Sequence, residues 1–233
     1  MKKTICMILS FLMLLFLSAC SEKGETDAKN IKPIEEITDI EGPYYFQSAD
    51  WPAYKNAEEV VNAADLVFLG KIVDIDFQAL DSSTALSVSE TTAEHSRALY
   101  TVYSVEVIDT YKGNPTSVQK VRVMGGMIGY DVDRQLKIME EGKVYGREYG
   151  IPIWDRYQKV NCNIGETFLF ALKQFETGDP TVINLEQAIY DLADPAKKST
   201  DGISVKDIVS EFGNSKWNAF NEKWQNGKFA TQK

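Results

Sequence analysis

The sequence predicts a mainly β domain with α-helices before and after its strands, and three observations carry that reading. Five strand-like runs, near 66–77, 100–111, 118–124, 167–172 and 181–185, are set apart by turn or loop signals. A helix start stands just ahead of the first run. Beyond Pro195 the apolar residues fall at helical spacing instead.

The leading helix is signalled by Asn56-Ala57-Glu58-Glu59, with Asn56 as N-cap, Glu59 reaching back, and Val60, Val61 and Ala64 to one side. The first strand is all apolar at its start. It then alternates Val73, Ile75 and Phe77 against Asp74 and Asp76, as expected of a strand that leaves a buried centre for an edge. Residues 81–97, rich in Ser, Thr, Ala and Glu, read as an exposed loop. In the second strand Tyr103, Val105 and Val107 oppose Ser104 and Glu106, and Lys112-Gly113-Asn114-Pro115 turns the chain. The third alternates Val121 and Val123 with Lys120 and Arg122 and stops at Gly125-Gly126. Residues 127–163 show little periodicity, and a segment of that length reads as a functional insertion. Near the C-terminus Ser204 with Asp207 forms a capping box, Ile203 with Ile208 a hydrophobic staple, and Gly213 a stop. Ser215 is placed to cap a last helix carrying Trp217, Phe220 and Trp224, a stripe expected to pack on the domain.

The N-terminus has a different character. Lys2 and Lys3 precede an apolar run at 5–17 that ends in Leu17-Ser18-Ala19-Cys20, the layout of a secretion signal. The run is shorter than the ~20 residues a spanning helix requires, and no later stretch reaches that length. Leu17-Ser18-Ala19-Cys20 resembles the lipobox of bacterial lipoproteins. That resemblance implies removal of residues 1–19, acylation of Cys20 with a diacylglyceryl group, and a mature protein lipid-anchored on the extracytoplasmic face of the cell membrane. Two acyl chains hold a bilayer stably where one does not. Residues 20–43 read as a tether, reaching about 25 Å on average. The domain then occupies 44–195 with its insertion at 127–163, followed by a helical segment at 196–233.

The net charge is −9, and the leader takes away two lysines and no acid, so the mature chain is more acidic still. Such a chain is poorly suited to nucleic acid or to an anionic bilayer face. With Cys6 lost and Cys20 acylated, Cys162 has no disulfide partner and reads as a buried structural residue.

Ala63-Ala64-Asp65-Leu66-Val67-Phe68-Leu69-Gly70-Lys71-Ile72-Val73, then Tyr103 to Gly113 (Tyr-Ser-Val-Glu-Val-Ile-Asp-Thr-Tyr-Lys-Gly), then Gly165-Glu166-Thr167-Phe168-Leu169-Phe170-Ala171-Leu172, resemble in order the netrin-like modules related to tissue inhibitors of metalloproteinases. The resemblance spans roughly residues 60–190 and implies a five-stranded OB-fold-like barrel. It does not imply inhibition: those inhibitors chelate a protease metal through an N-terminal cysteine, whereas Cys20 would be acylated and far from the barrel.

No cofactor is called for, and no catalytic or metal-binding residue is assigned. His95, the one histidine, falls in the exposed loop, and no Gly-x-Ser-x-Gly elbow exists. Asp131, Asp133, Glu140 and Glu141 match no calcium loop and read as solvated acids. The insertion interleaves Tyr130, Tyr145, Tyr149, Trp154 and Tyr157 with Arg134, Arg147 and Arg156. Such residues either fold over the barrel as a satellite core or form a recognition surface. As a surface, Tyr145, Tyr149, Trp154 and Arg156 are the ligand-binding candidates, with the three aromatics exposed. The expected activity is non-enzymatic binding of an envelope protein or a cell-wall polymer. The alternative is an envelope hydrolase, or an accessory subunit, that uses paired carboxylates.

Overall fold

The computed structural model describes residues 42–47, 51–154, 162–199 and 201–229. The leader, Cys20, most of the tether, Arg156 and Tyr157 lie outside the described residues. Among the described residues no helix is long and apolar enough to cross a membrane.

Eight strands and four helices follow one another along the described chain. They are β1 (Tyr44–Gln47), α1 (Ala57–Ala63), β2 (Leu66–Asp81), β3 (Arg97–Lys112), β4 (Val118–Met124), α2 (Val132–Glu141), β5 (Ile151–Trp154), β6 (Thr167–Lys173), β7 (Thr181–Val182), β8 (Ile189–Asp191), α3 (Val205–Ser210) and α4 (Asn214–Gln225). β2, β3, β4, β7 and β6 hydrogen-bond in that order, and β6 returns to β2, so the sheet closes. All contacts are antiparallel except β4 with β7, which is parallel. The result is the closed, mixed, five-stranded OB-fold-like barrel expected from the sequence, with helices on either side of it in the chain.

Closure depends on β2, whose residues Leu66–Lys71 pair with Leu172–Thr167 of β6 while Val67–Lys71 also pair with β3. Register shifts after Val67, Leu69 and Ile72 bend it, as bulges do where a sheet must curl. The inward residues are those of the apolar runs: Phe68 and Phe170 stack at 5.3 Å, with Leu69, Ile72, Val105, Val121 and Leu172 buried around them. Each such side chain contributes about 1.5–3 kcal/mol of burial. Gly70 sits in close contact with β3. A methyl group there would stand 2.3 Å from Val105 Cγ1 and 3.1 Å from the Glu106 carbonyl oxygen.

The helix signals hold in detail. Asn56 Oδ1 accepts from Glu59 N at 2.9 Å, and Glu59 reaches back to Lys55 N at 2.8 Å. The Ser204/Asp207 capping box forms, and Ile203 and Ile208 are buried. α1 packs against α3 and β6, and α3 against α4. α4 lays Phe220 between Trp217 and Phe229 at 5.5 and 5.4 Å, while Trp224 Nε1 donates to Leu192 O at 3.0 Å, so this stripe packs as expected. α3 stops at Ser210 with Glu211 as its C-cap, before Gly213, and Gly213 is the N-cap of the next helix, so α4 starts at Asn214 and Ser215 is not its cap. Cys162 is buried beside Tyr103, and burial pushes its thiol up to about 12.

Three stretches differ from the sequence expectation. β2 continues to Asp81, because its second half keeps a partner in Arg97–Thr101 of β3. The fifth barrel strand shrinks to Thr181–Val182, after which the chain loops and returns as β8 on the same side of β6. The insertion contains α2 and β5. β5 pairs in parallel with β1, the strand just after the tether, to form a separate two-stranded sheet.

Replacing Gly70 by alanine should destabilise the domain by about 1–3 kcal/mol, the usual cost of overpacking, because both Val105 and the Glu106 backbone would have to move. Urea unfolding checks it, and an unchanged midpoint would show that β2 is not packed as tightly as described.

Candidate functional site

The insertion reaches the barrel end through α2, whose Gln135 is fully buried. Its Oε1 accepts from Met127 N at 2.8 Å and its Nε2 donates to Met127 O at 2.9 Å, pinning the turn that leaves β4. The chain then passes through Lys143 (φ 48°) and Gly146 (φ 75°) into a short 3-10 turn at Arg147–Tyr149 and on to β5. Tyr145 N donates to Arg97 O at 3.1 Å and Ile151 N to Pro43 O at 2.7 Å, so this loop is tied to the barrel at one end and to the N-terminal strap at the other.

Tyr45 of β1 faces that loop. Its ring meets Tyr149 edge-on at 6.0 Å, and its hydroxyl accepts from Gln47 Nε2 at 2.7 Å. A methyl group on Gly146 would lie 2.6 Å from the Tyr45 hydroxyl, so glycine is needed there for space as well as for its positive φ. Burial, and then the charge of Glu148, raise the Tyr45 phenol above its ordinary value and keep it a neutral donor.

Between β1, the insertion and the starts and ends of the barrel strands lies a cleft of about 160 Å³. Tyr45, Tyr145 and Trp154 supply its aromatic walls, and Ser82, His95 and Arg97 its polar side. Among the described residues its lining contains no Asp or Glu, although acids outnumber bases in the chain. Arg97 is held by backbone carbonyls: Nε and Nη2 donate to Thr92 O at 3.0 and 2.8 Å, Nη2 to Ser89 O at 3.0 Å, and Nη1 to Gly142 O at 3.4 Å. Glu94 is ion-paired with Arg147 at 2.9 Å. That hydrogen bond, and then the Arg147 charge, hold the Glu94 carboxyl below the usual carboxylate range.

The sequence candidates are divided by this arrangement. Tyr145 and Tyr149 are 59% and 68% exposed, as expected of a recognition surface. Trp154 is not: it is only 6% exposed, because pairing of β5 with β1 brings it under Trp51, which meets it edge-on at 5.9 Å. The expectation of an exposed Trp154 is therefore corrected. Its ring is a wall of the cleft, and its buried Nε1 has no hydrogen-bond partner among the described residues. Tyr130 packs against Phe77 at 6.0 Å, and Arg134 pairs with Asp76. The insertion is thus satellite core on one side and exposed surface on the other. Arg156 cannot be placed, since it falls outside the described residues.

His95 remains exposed but stands at the cleft rather than in an isolated loop. Among the described residues no three His, Cys, Asp or Glu side chains converge in a way that could hold a metal ion, and Glu141 pairs with Lys137 at 3.8 Å. Sequence reasoning missed Tyr45, Gln47, Ser82 and Arg97. The signal available for the first two was the aromatic run Tyr44-Tyr45-Phe46, which has strand character directly after a polar tether. The others are brought in by the fold alone.

Beyond the barrel end, the loops after β2 and β6 are joined: Thr177 Oγ1 donates to Thr84 O at 3.1 Å, and Arg122 reaches both Ala85 O and Asp179, the latter at 3.3 Å. This clamp keeps the first of those loops, which carries Ser82 and His95, in place beside the cleft. Comparison of the sequence with protein-family models and with curated proteins found no match.

Proposed function

We propose that this chain is a bacterial lipoprotein, held by acylated Cys20 at the outer face of the cell membrane, and that it acts by binding an envelope protein or a cell-wall polymer through the cleft and its tyrosine rim. The observation that carries the reading is the exposure of Tyr145 and Tyr149 on a loop whose backbone is tied down at both ends. Tyrosines held in place offer large contact area at small cost in conformational entropy, and this is what binding surfaces favour. The alternative, a hydrolase with paired carboxylates, needs two acids facing one substrate. Among the described residues no acid lines the cleft, which favours binding over that chemistry. The likeness to netrin-like modules adds the barrel and no activity, since fold does not carry function.

The binding reading is tested with the full-length chain in detergent, sedimented with isolated wall polymer and passed over immobilised envelope extract beside a Tyr145→Ala/Tyr149→Ala variant. Both residues are exposed, so the variant should keep the parent's circular dichroism and urea midpoint. The expected result is retention of the parent on one of the two supports and a loss of about tenfold or more in the variant, the scale of truncating two rim aromatics. Equal retention would move the site elsewhere, and no retention of the parent would end the reading.

Anchoring is tested separately by growth with a clickable palmitate analogue. The parent should carry the label and sediment with membranes, and a Cys20→Ser variant should do neither. A labelled Cys20→Ser protein, or an unlabelled parent, would contradict lipidation at this residue.

A further inference from the structure

Resting on the binding reading above, we infer that the cleft holds one sugar ring bearing a carboxylate, as a single unit of an acidic wall polysaccharide. Size sets the first limit. An apolar cavity of about 150 Å³ holds one benzene, and drug-sized ligands occupy about 300–1,000 Å³, so a cleft of about 160 Å³ takes one six-membered ring and not a longer segment.

Hydrogen-bonding capacity sets the second. A guanidinium has five N–H groups. In Arg97 one at Nε, two at Nη2 and one at Nη1 are used on carbonyls, which leaves one Nη1–H without an acceptor among the described residues. Tyr45 accepts from Gln47, and its own hydroxyl proton likewise has no acceptor among the described residues. Both residues line the cleft, and their two unused donors call for a ligand rich in acceptor oxygens.

Charge sets the third. Among the described residues Arg97 makes no ion pair and the lining has no acid, and Glu94 beside Arg97 is engaged by Arg147. In a chain of net charge −9 this cleft is a cationic exception, which selects a carboxylate and disfavours an ammonium group. Tyr145 and Trp154 supply the flat apolar walls against which the C–H face of a sugar ring packs.

The test is ligand-observed NMR titration of the full-length chain in detergent with methyl glucuronide, methyl glucoside, methyl glucosaminide and an N-acetylated tripeptide acid. The glucuronide should bind at least about tenfold more tightly than the glucoside, the scale of one charge-assisted hydrogen bond, and the glucosaminide should be weakest. Tyr45→Phe, which keeps the ring, should weaken the glucuronide about fivefold and leave the glucoside less affected. Arg97→Gln should abolish the preference for the glucuronide. Its circular dichroism and urea midpoint are measured alongside, because Arg97 also ties the loop, and Tyr45→Phe decides if it misfolds. Equal binding of the glucuronide and the glucoside, indifference to Tyr45→Phe, or tighter binding of the tripeptide acid would overturn the assignment. Any of these results from a chain still retained by wall polymer or envelope extract would leave the binding reading intact, whereas a chain retained by neither loses both.

Discussion

The whole molecule depends on one strand hydrogen-bonding on both sides at once. From Val67 to Lys71, β2 pairs with β3 and with β6, and this joins the first strand of the barrel to the fourth across about a hundred residues of chain. Residues 66–70 are buried one after another, with Gly70 providing the space for close approach, and the Phe68–Phe170 stack lies on the seam. A strand paired on both edges leaves no exposed ladder along that stretch, so closure removes an aggregation-prone edge as well as building the core.

Everything at the candidate site is hung on that barrel. Closure fixes the start of β3, where Arg97 lies, opposite the end of β4, where the insertion departs. Gln135 then holds the departing turn, and the parallel pairing of β5 with β1 folds the insertion back. The cleft is the space left between a rigid barrel end and two segments that have little core of their own. Because β1 directly follows the proposed tether, the cleft includes the part of the domain nearest in sequence to the membrane anchor.

Much of the fold was legible because the barrel strands and flanking helices obey local rules. Apolar alternation marked β3 and β4, and side-chain caps marked α1 and α3. α2 was less legible although Val132, Leu136 and Met139 recur at helical spacing: it is ten residues long, only Gln135 and Met139 on it are buried, and its N-cap Asp131 makes no side-chain cap bond to mark its start. β1 and β5 are four residues each and stabilise one another across a long separation in sequence, a pairing that no local pattern encodes. The site was half legible for the same reason. Tyr145 and Tyr149 stood out by type, but the burial of Trp154 and the arrival of Arg97 and Tyr45 are consequences of that long-range pairing.

The charge pattern has the same origin. The chain carries a net charge of −9, while the cleft has a cationic lining residue in Arg97, which is held by carbonyls rather than by acids among the described residues. The most direct measurement of the central claim, that the cleft face is where this protein meets its partner, is hydrogen–deuterium exchange of the full-length chain with and without isolated wall polymer or envelope extract. Contact through the cleft requires slowed exchange in peptides covering β1, the start of β3 and the loop between α2 and β5, with the β3–β4 turn around Gly113 unchanged. Protection centred on that turn, or at the C-terminal helices with none at the cleft, would contradict it.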